Sequence, residues 1–108
     1  MKKLIAILLC TPLMAHAAFL DGNKLLRYLS STSDIEKFHA MGYVLGVHDT
    51  MESSLCLSRN VTAQQASDVV RKFLVENPAS RDLNADILVI VALTNAFPCP
   101  QQQKGKRS

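Results

Sequence analysis

Cysteine, histidine and carboxylate side chains are the groups of this 108-residue chain that could perform chemistry. A redox-active pair of thiols normally has the spacing C-x-x-C, which does not occur in the sequence. His39 and His48 make no recognisable set of metal ligands with Cys56 or Cys99. The sequence therefore predicts no metal site and no cofactor.

Catalytic patterns are absent from the sequence as well. Asp49 and Glu52 stand three residues apart on a predicted helix, but such pairs are ordinarily solvent-facing charges, and no acid–base partner accompanies them. The sequence contains no G-x-S-x-G, Walker or H-E-x-x-H motif. We therefore predict a binding protein and not an enzyme.

The N-terminal segment predicts where the protein resides. A short positive start precedes an apolar stretch at residues 4–13, and an A-x-A box follows at residues 15–17. This order is typical of a secretory signal peptide, and the stretch is shorter than the roughly 20 residues of a transmembrane helix. We expect residues 1–17, including Cys10, to be removed and the mature protein to reside in a bacterial periplasm.

The charge of the mature chain is close to neutral. Without the two lysines of the signal peptide, the twelve Lys and Arg residues fall to ten, against nine Asp and Glu. This balance predicts no nucleic-acid partner. The mature chain also lacks an apolar run long enough to hold it in a membrane. Residues 101–108, QQQKGKRS, lack apolar side chains and are predicted to be a disordered basic tail. Residues 18–100 are left as one small domain.

Two cysteines remain after signal cleavage, in a compartment that favours oxidation. We therefore predict a disulfide between Cys56 and Cys99, which would close a loop of about 43 residues and stabilise the fold by up to about 4 kcal/mol. The alternative is two free thiols. Pro98 cannot continue a helix and pushes Phe97 toward an extended conformation. The segment FPCP therefore predicts a helix end, with Phe97 in the core and Cys99 beside it.

Apolar periodicity predicts four helices and almost no strand. The first helix is short, at residues 24–30, and follows a turn at residues 21–23. Capping boxes, Ser33-x-x-Glu36 and Thr62-x-x-Gln65, mark the start of the next two helices. We expect the second helix at residues 34–53 and the third to end before Asn77-Pro78.

The second helix combines an apolar face with two glycines. The apolar residues that recur on one face are Ile35, Phe38, Met41 and Leu45. Gly42 and Gly46 fall on the same side one turn apart, and each costs about 1 kcal/mol relative to alanine in a helix. We therefore expect another backbone or a bulky side chain to approach these glycines closely within the bundle.

The last helix is predicted from an unusually apolar run. Residues 87–93 are apolar all round, and by β-propensity they could form a buried strand instead. The apolar register from residue 83 to residue 97 is longer than a typical strand, which favours a helix, capped by Ser80 or Asp82 and buried at the centre. The predicted fold is all-α, a small bundle of about four helices stapled by one disulfide.

Five segments of the sequence form a fairly specific combination. They are FLDGNKLL at 19–26, MGYVLGVHD at 41–49, LC at 55–56, VTAQQASDVVRKFLVENPASR at 61–81 and ALTNAFPCP at 92–100. Together they resemble the Rap/Tai family, the immunity proteins of type VI secretion systems, over nearly the whole mature chain. The pairing of G-Y-x-x-G-x-x-D with F-P-C-P carries most of this resemblance.

The resemblance implies a small helical periplasmic protein that binds a cognate peptidoglycan-degrading effector, typically an amidase, and blocks its active-site cleft. It also implies a homodimer. The structural roles that it implies are Gly42 and Gly46 at a helix crossing, Tyr43 and Asp49 orienting the second helix, and Cys56 paired with Cys99. Many relatives carry a further cysteine pair that this chain lacks, so we expect its first helix to be less firmly tethered than theirs.

Effector contacts cannot be transferred from the family by motif. We expect them at residues 55–60 and the nearby helix end, because loops held by a disulfide present side chains at low ordering cost. The candidate effector-binding residues are His48, Glu52, Arg59 and Asn60. The alternative for Glu52 and Arg59 is solvated surface charge. The alternative function is a periplasmic helical chaperone or stress protein, which would expose a broad apolar surface.

Overall fold

Four α-helices and two single-turn 3₁₀ helices make up the part of the chain that the computed structural model describes, residues 19–100. The α-helices are α1 (Gly22–Leu29), α2 (Asp34–Thr50), α3 (Ala63–Glu76) and α4 (Ala85–Ala96). The 3₁₀ helices are Glu52–Ser54 and Pro78–Ser80. These residues contain no strand, so the all-α prediction is confirmed and the strand alternative is wrong. The predicted signal peptide and basic tail lie outside the described residues.

The two predicted capping residues start their helices. The Ser33 hydroxyl accepts a hydrogen bond from the Glu36 backbone N–H at 3.4 Å, and the Thr62 hydroxyl accepts one from the Gln65 N–H at 3.0 Å. The reciprocal half of the first capping box does not form, because the Ser33 N–H donates to the Ser31 hydroxyl at 2.9 Å. Each cap satisfies a backbone donor that the first helical turn leaves free.

Helix α1 begins earlier than expected. Residues 21–23 were predicted to form a turn, but Asp21 is the N-cap, and its carboxylate accepts from the Lys24 N–H at 2.8 Å. The start of α1 is joined to the chain before α4 by three backbone hydrogen bonds. They are Gly22 N–H to Leu83 C=O, Asn23 N–H to Arg81 C=O and Ala85 N–H to Leu20 C=O, at 2.9 to 3.0 Å. These bonds tether α1 at its N-terminal end.

The core lies where all four helices meet. Its largest fully buried side chains are Leu25, Val44, Val70, Leu74, Val89 and Leu93. One face of α3 is buried or half-buried, with the apolar side chains Ala66, Val69, Val70, Phe73 and Leu74. The leucines on either side of Cys56, Leu55 and Leu57, are also buried or half-buried, and so is Phe97. The core is therefore a single cluster that contains side chains from all four α-helices. No helix within residues 19–100 is long and apolar enough to cross a membrane.

Helix α2 buries a different face from the one predicted. Ile35 is 81% exposed and Phe38 is 66% exposed, whereas Ala40 and Val44 are fully buried. Ala40 and Val44, continued by Val47, form a second apolar line along the helix at i, i+4 and i+7. The two lines lie on different sides of the helix, and because the other helices pack against only one side, only one line can be buried.

Glycine is required at a position other than the two expected. A Cβ added at Gly42 or Gly46 would meet no atom within 4 Å, so the predicted close packing at these glycines within the bundle is wrong. Gly22, in contrast, is buried, and a Cβ there would lie 2.8 Å from the Arg81 carbonyl oxygen and close to the Leu88 side chain. The absence of a side chain at Gly22 lets α1 lie against the chain that leads into α4.

Helix α4 is shorter and less buried than expected. It begins after Asn84, and neither Ser80 nor Asp82 caps it. Ser80 ends the 3₁₀ helix Pro78–Ser80, and the next residues carry the backbone carbonyls of Arg81 and Leu83 that bond to α1. Ile87 is 48% exposed and Val91 is 38% exposed, so α4 has an apolar face that the other helices leave uncovered. The prediction of a helix buried on all sides is therefore wrong.

Candidate functional site

A polar groove lies between the C-terminal end of α2 and the chain that enters α3. Its volume is about 450 Å³. The α2 end contributes Leu45, His48, Asp49 and Glu52, and the following chain contributes Leu55, Leu57, Ser58, Arg59, Val61, Thr62, Ala63 and Ala66. We call it the α2–α3 groove. Three of the four predicted effector-binding residues, His48, Glu52 and Arg59, line it.

A disulfide holds the chain on one side of this groove. Cys56 and Cys99 are bonded, as predicted, with Cα atoms 5.2 Å apart. Helix α4 ends at Ala96 and Phe97 is its C-cap, which places Cys99 beyond the end of the helix as the two prolines predicted. Leu55, next to Cys56, is buried in the core. The lining segment is thus fixed both by a covalent bond and by a buried side chain.

Arg59 and Asn60 occupy the tip of a hydrogen-bonded turn. The Val61 N–H donates to the Ser58 C=O at 3.0 Å, and the Asn60 N–H donates to the Ser58 hydroxyl at 3.1 Å. Serine at the first position and asparagine at the third are typical of such turns. Both tip residues are exposed. Asn60 lies beside the α2–α3 groove and does not line it.

The helix side of the groove carries charged and ionisable groups. His48 Nδ1 lies 3.1 Å from Asp49 Oδ1, with the His48 side chain 20% exposed and that of Asp49 74% exposed. Glu52 begins the 3₁₀ helix that follows α2 and is exposed. Arg59 stands on the turn side, so the groove presents carboxylates on one wall and a guanidinium on the other.

Tyr43 lies outside the groove, on the part of α2 that contacts α4. Burial, and secondarily the negative charge of Asp86, raises the pKa of the Tyr43 hydroxyl, while a hydrogen bond from the Asp86 backbone acts in the opposite direction. Tyr43 packs against the core cluster. Tyr43 therefore takes part in the packing of α2 against the rest of the bundle.

Sequence reasoning missed part of the groove wall. Leu45 precedes His48 and Asp49 by three and four residues, so helical spacing alone places it on their side of α2. Leu57 lies within the predicted contact loop at residues 55–60 and Val61 follows it, but neither gave a signal beyond its apolar character. Within residues 19–100, no cluster of His, Cys, Asp and Glu is arranged to hold a metal ion.

The arrangement is suited to binding a protein surface. It joins a rigid turn, a mixed set of charges and a few apolar side chains along one open groove. Charged groups at the rim of an interface steer association and select partners, whereas buried apolar groups supply most of the affinity. A surface that carries both signs of charge would complement this groove.

Comparison with known proteins identifies the family. A family model described as Rap1a immunity proteins matches residues 15–99, which include all four helices and both bonded cysteines. A search of curated proteins gave no match. Because the family model covers most of the chain, the protein belongs to the Rap1a family of immunity proteins.

Proposed function

We propose that this protein is a periplasmic immunity protein that binds and inhibits a peptidoglycan-degrading effector of the amidase type, delivered by a type VI secretion system. Membership of the Rap1a immunity family is the observation that carries the proposal. An immunity protein acts by binding its cognate effector, which makes it an inhibitor and not an enzyme. The kind of effector comes from the resemblance of the motifs to the Rap/Tai proteins.

The turn at Arg59 and Asn60 supports inhibition by direct insertion or contact. Ser58 fixes the turn through two hydrogen bonds, and the neighbouring Cys56 is bonded to Cys99. A segment that is already ordered loses little conformational entropy when it binds, so more of its contact energy appears as affinity. His48, Glu52 and Arg59 then provide the polar and charged contacts around it.

The periplasm is proposed on two independent features. The sequence of residues 1–17 has the order of a secretory signal, and the Cys56–Cys99 disulfide is typical of proteins in oxidising compartments. The effector's proposed substrate, peptidoglycan, lies in the same compartment. The family resemblance adds a homodimer to the proposal.

The proposal is tested with the product of the neighbouring gene. The oxidised protein, purified from cells that express the full-length gene, is titrated into this effector while binding and peptidoglycan hydrolysis are followed. We expect saturable, stoichiometric inhibition. Hydrolysis that continues when the effector is saturated with the protein would contradict the proposal, as would the absence of binding to any lytic neighbour.

A periplasmic chaperone is the second candidate, and the exposed apolar side chains favour it. Ile35, Phe38 and Ile87 are each about half or more exposed. A chaperone would suppress the aggregation of an unrelated client such as reduced insulin, and it would do so whether or not the effector is present. An immunity protein would leave this aggregation unchanged.

A further inference from the structure

We propose that a small cleft between the first half of α2 and residues 64–71 of α3 binds a free α-amino acid with a small apolar side chain. The cleft has a volume of about 110 Å³ and shares no lining residue with the α2–α3 groove. Its polar lining residues are Asp34, Lys37, Gln64, Ser67, Asp68 and Arg71. We call it the Ser67 cleft.

A buried hydroxyl group lines this cleft without a partner. Ser67 is 3% exposed, and its Oγ forms no hydrogen bond within the described part of the chain. A polar atom that is buried and unpaired costs free energy, and native proteins seldom retain one without a reason. An alanine at this position would avoid the cost. A ligand in the cleft would supply the partner that the bundle does not provide.

The charged groups around the cleft balance one another. Lys37 on α2 and Arg71 on α3 contribute positive charge, and Asp34 and Asp68 contribute an equal negative charge. None of the four forms an ion pair with another described residue. Asp68 accepts one hydrogen bond, from the Gln64 side chain at 3.0 Å, and keeps further acceptor capacity. The cleft can therefore offer donors to a carboxylate and acceptors to an ammonium group at the same time.

Apolar side chains complete the lining. They are Leu29 at the end of α1 and Phe38 and Met41 on α2. Leu29 and Met41 are half-buried, whereas Phe38 is 66% exposed. An apolar ligand group placed against them would remove apolar surface from water, and the flexible Met41 side chain can adapt to its shape. Phe38 thereby obtains a role that packing within the bundle does not give it.

The volume of the cleft limits the size of the ligand. A protein cavity of about 150 Å³ can hold a benzene molecule. The Ser67 cleft is somewhat smaller but open to solvent on one side, and alanine has as many non-hydrogen atoms as benzene. An amino acid of about this size fits, whereas a nucleotide or a disaccharide does not.

The charge balance selects a zwitterion over other small ligands. A phosphate or a dicarboxylate would meet the carboxylates of Asp34 and Asp68 as well as the two cations, and like charges repel. Nowhere in residues 19–100 are His, Cys, Asp and Glu arranged to hold a metal ion. A purely apolar molecule would leave the Ser67 hydroxyl unpaired. A free amino acid supplies a carboxylate, an ammonium group and an apolar group together.

Alanine is the probe that tests this site. The oxidised protein, purified from cells that express the full-length gene and kept free of effector, is isotopically labelled and titrated with L-alanine or D-alanine while amide chemical shifts are followed by NMR. We expect saturable shifts concentrated at residues 34–41 and 64–71, with a dissociation constant of about 1 mM for at least one enantiomer. Either enantiomer supports the proposal. Preference for D-alanine would favour a ligand released from the cell wall, and preference for L-alanine would favour the general amino-acid pool.

Two analogues test the need for both charges of the ligand. Propionate lacks the ammonium group of alanine, and ethylamine lacks the carboxylate. We expect each to bind at least about tenfold more weakly than alanine, because each loses its charge-assisted hydrogen bonds on one side. Propionate that binds as tightly as alanine would overturn the assignment of a zwitterion. The absence of saturable shifts with both enantiomers up to about 10 mM would overturn the site itself.

Substitutions locate the groups that bind the ligand. Ser67→Ala should weaken alanine binding about tenfold while leaving the protein at least as stable, because it removes an unpaired buried oxygen. Arg71→Gln should weaken binding by a similar factor. Lys72→Gln is the matched control, because it removes a positive charge from the next position of α3, where the side chain lines a different groove.

Unchanged alanine binding in both Ser67→Ala and Arg71→Gln would overturn the proposal, and so would an equal loss in Lys72→Gln and Arg71→Gln. These measurements contain no effector, and the Ser67 cleft is separate from the α2–α3 groove. Their failure would therefore leave the proposed function to be decided by effector binding alone.

Discussion

Cys56 and Cys99 join the wall of the α2–α3 groove to the end of α4, with Cα atoms 5.2 Å apart and a separation of 43 positions in the sequence. The bond therefore connects the candidate effector-binding segment with the most apolar helix of the bundle. Loss of this connection should affect stability and binding together, whereas changes elsewhere in the molecule should separate the two.

Replacing both cysteines by alanine should lower the free energy of unfolding by about 2–4 kcal/mol, because the unfolded chain regains the freedom that the closed loop removed. The hydrogen bonds that cap the helices do not involve the disulfide. We therefore expect the helical content at low temperature to be unchanged. Thermal unfolding followed by circular dichroism measures both quantities. An unchanged melting temperature would show that the disulfide does not stabilise the fold.

Gly22→Ala should destabilise the protein by about 1–3 kcal/mol, because the added methyl group would overlap the Arg81 backbone and the Leu88 side chain. Gly42→Ala is the matched control: its methyl group enters open space, and we expect a gain of about 0.5–1 kcal/mol from helix propensity alone. Chemical denaturation of the two variants measures the difference. Equal effects would contradict the close approach of α1 to Arg81.

Arg59→Ala should weaken the complex with the effector by tenfold or more if Arg59 is an anchor of the interface, since anchors typically contribute about 2 kcal/mol or more. The control is Lys72→Ala, because Lys72 pairs with Glu76 on α3 and lines a different groove. Titration calorimetry gives both affinities. Equal affinities for the two variants would assign Arg59 to solvated surface charge.

Glu52→Ala and His48→Ala test the opposite wall of the groove. A smaller loss of affinity is expected for each than for Arg59→Ala, because these residues lie on the helical side and not at the tip of the turn. The loss should shrink at high salt if charge is responsible, since salt screens exposed charges. A salt-independent loss would instead indicate a change in packing.

Alkaline pH should destabilise the protein through Tyr43. Its pKa is raised above the ordinary value of 10.0 in the folded state, so above pH 10 the unfolded chain loses this proton first. The contribution of Tyr43 to stability is therefore fully present below pH 10 and is lost as the pH rises through its folded pKa. Tyr43→Phe should flatten the decline in melting temperature over that range. An identical decline in the two proteins would rule out Tyr43 as its source.

The sequence was sufficient for features that depend on neighbouring residues. The caps at Ser33 and Thr62, the end of α3 before Asn77 and the end of α4 before Pro98 are local, because each is set by hydrogen bonds or steric limits within a few positions. The disulfide followed from having two cysteines in a chain with a predicted export signal. The motif combination indicated the family that the comparison then identified.

The tertiary structure decided which surfaces face one another. Helix α2 has two apolar lines, and only the packing of the other helices selects Ala40 and Val44 for the core over Ile35 and Phe38. The same packing leaves Gly42 exposed and brings the backbone of Arg81 so close to Gly22 that a side chain there would clash. It also brings Arg59 to the groove that His48 lines. Local rules could not give these outcomes, because burial is set by contacts between residues distant in sequence.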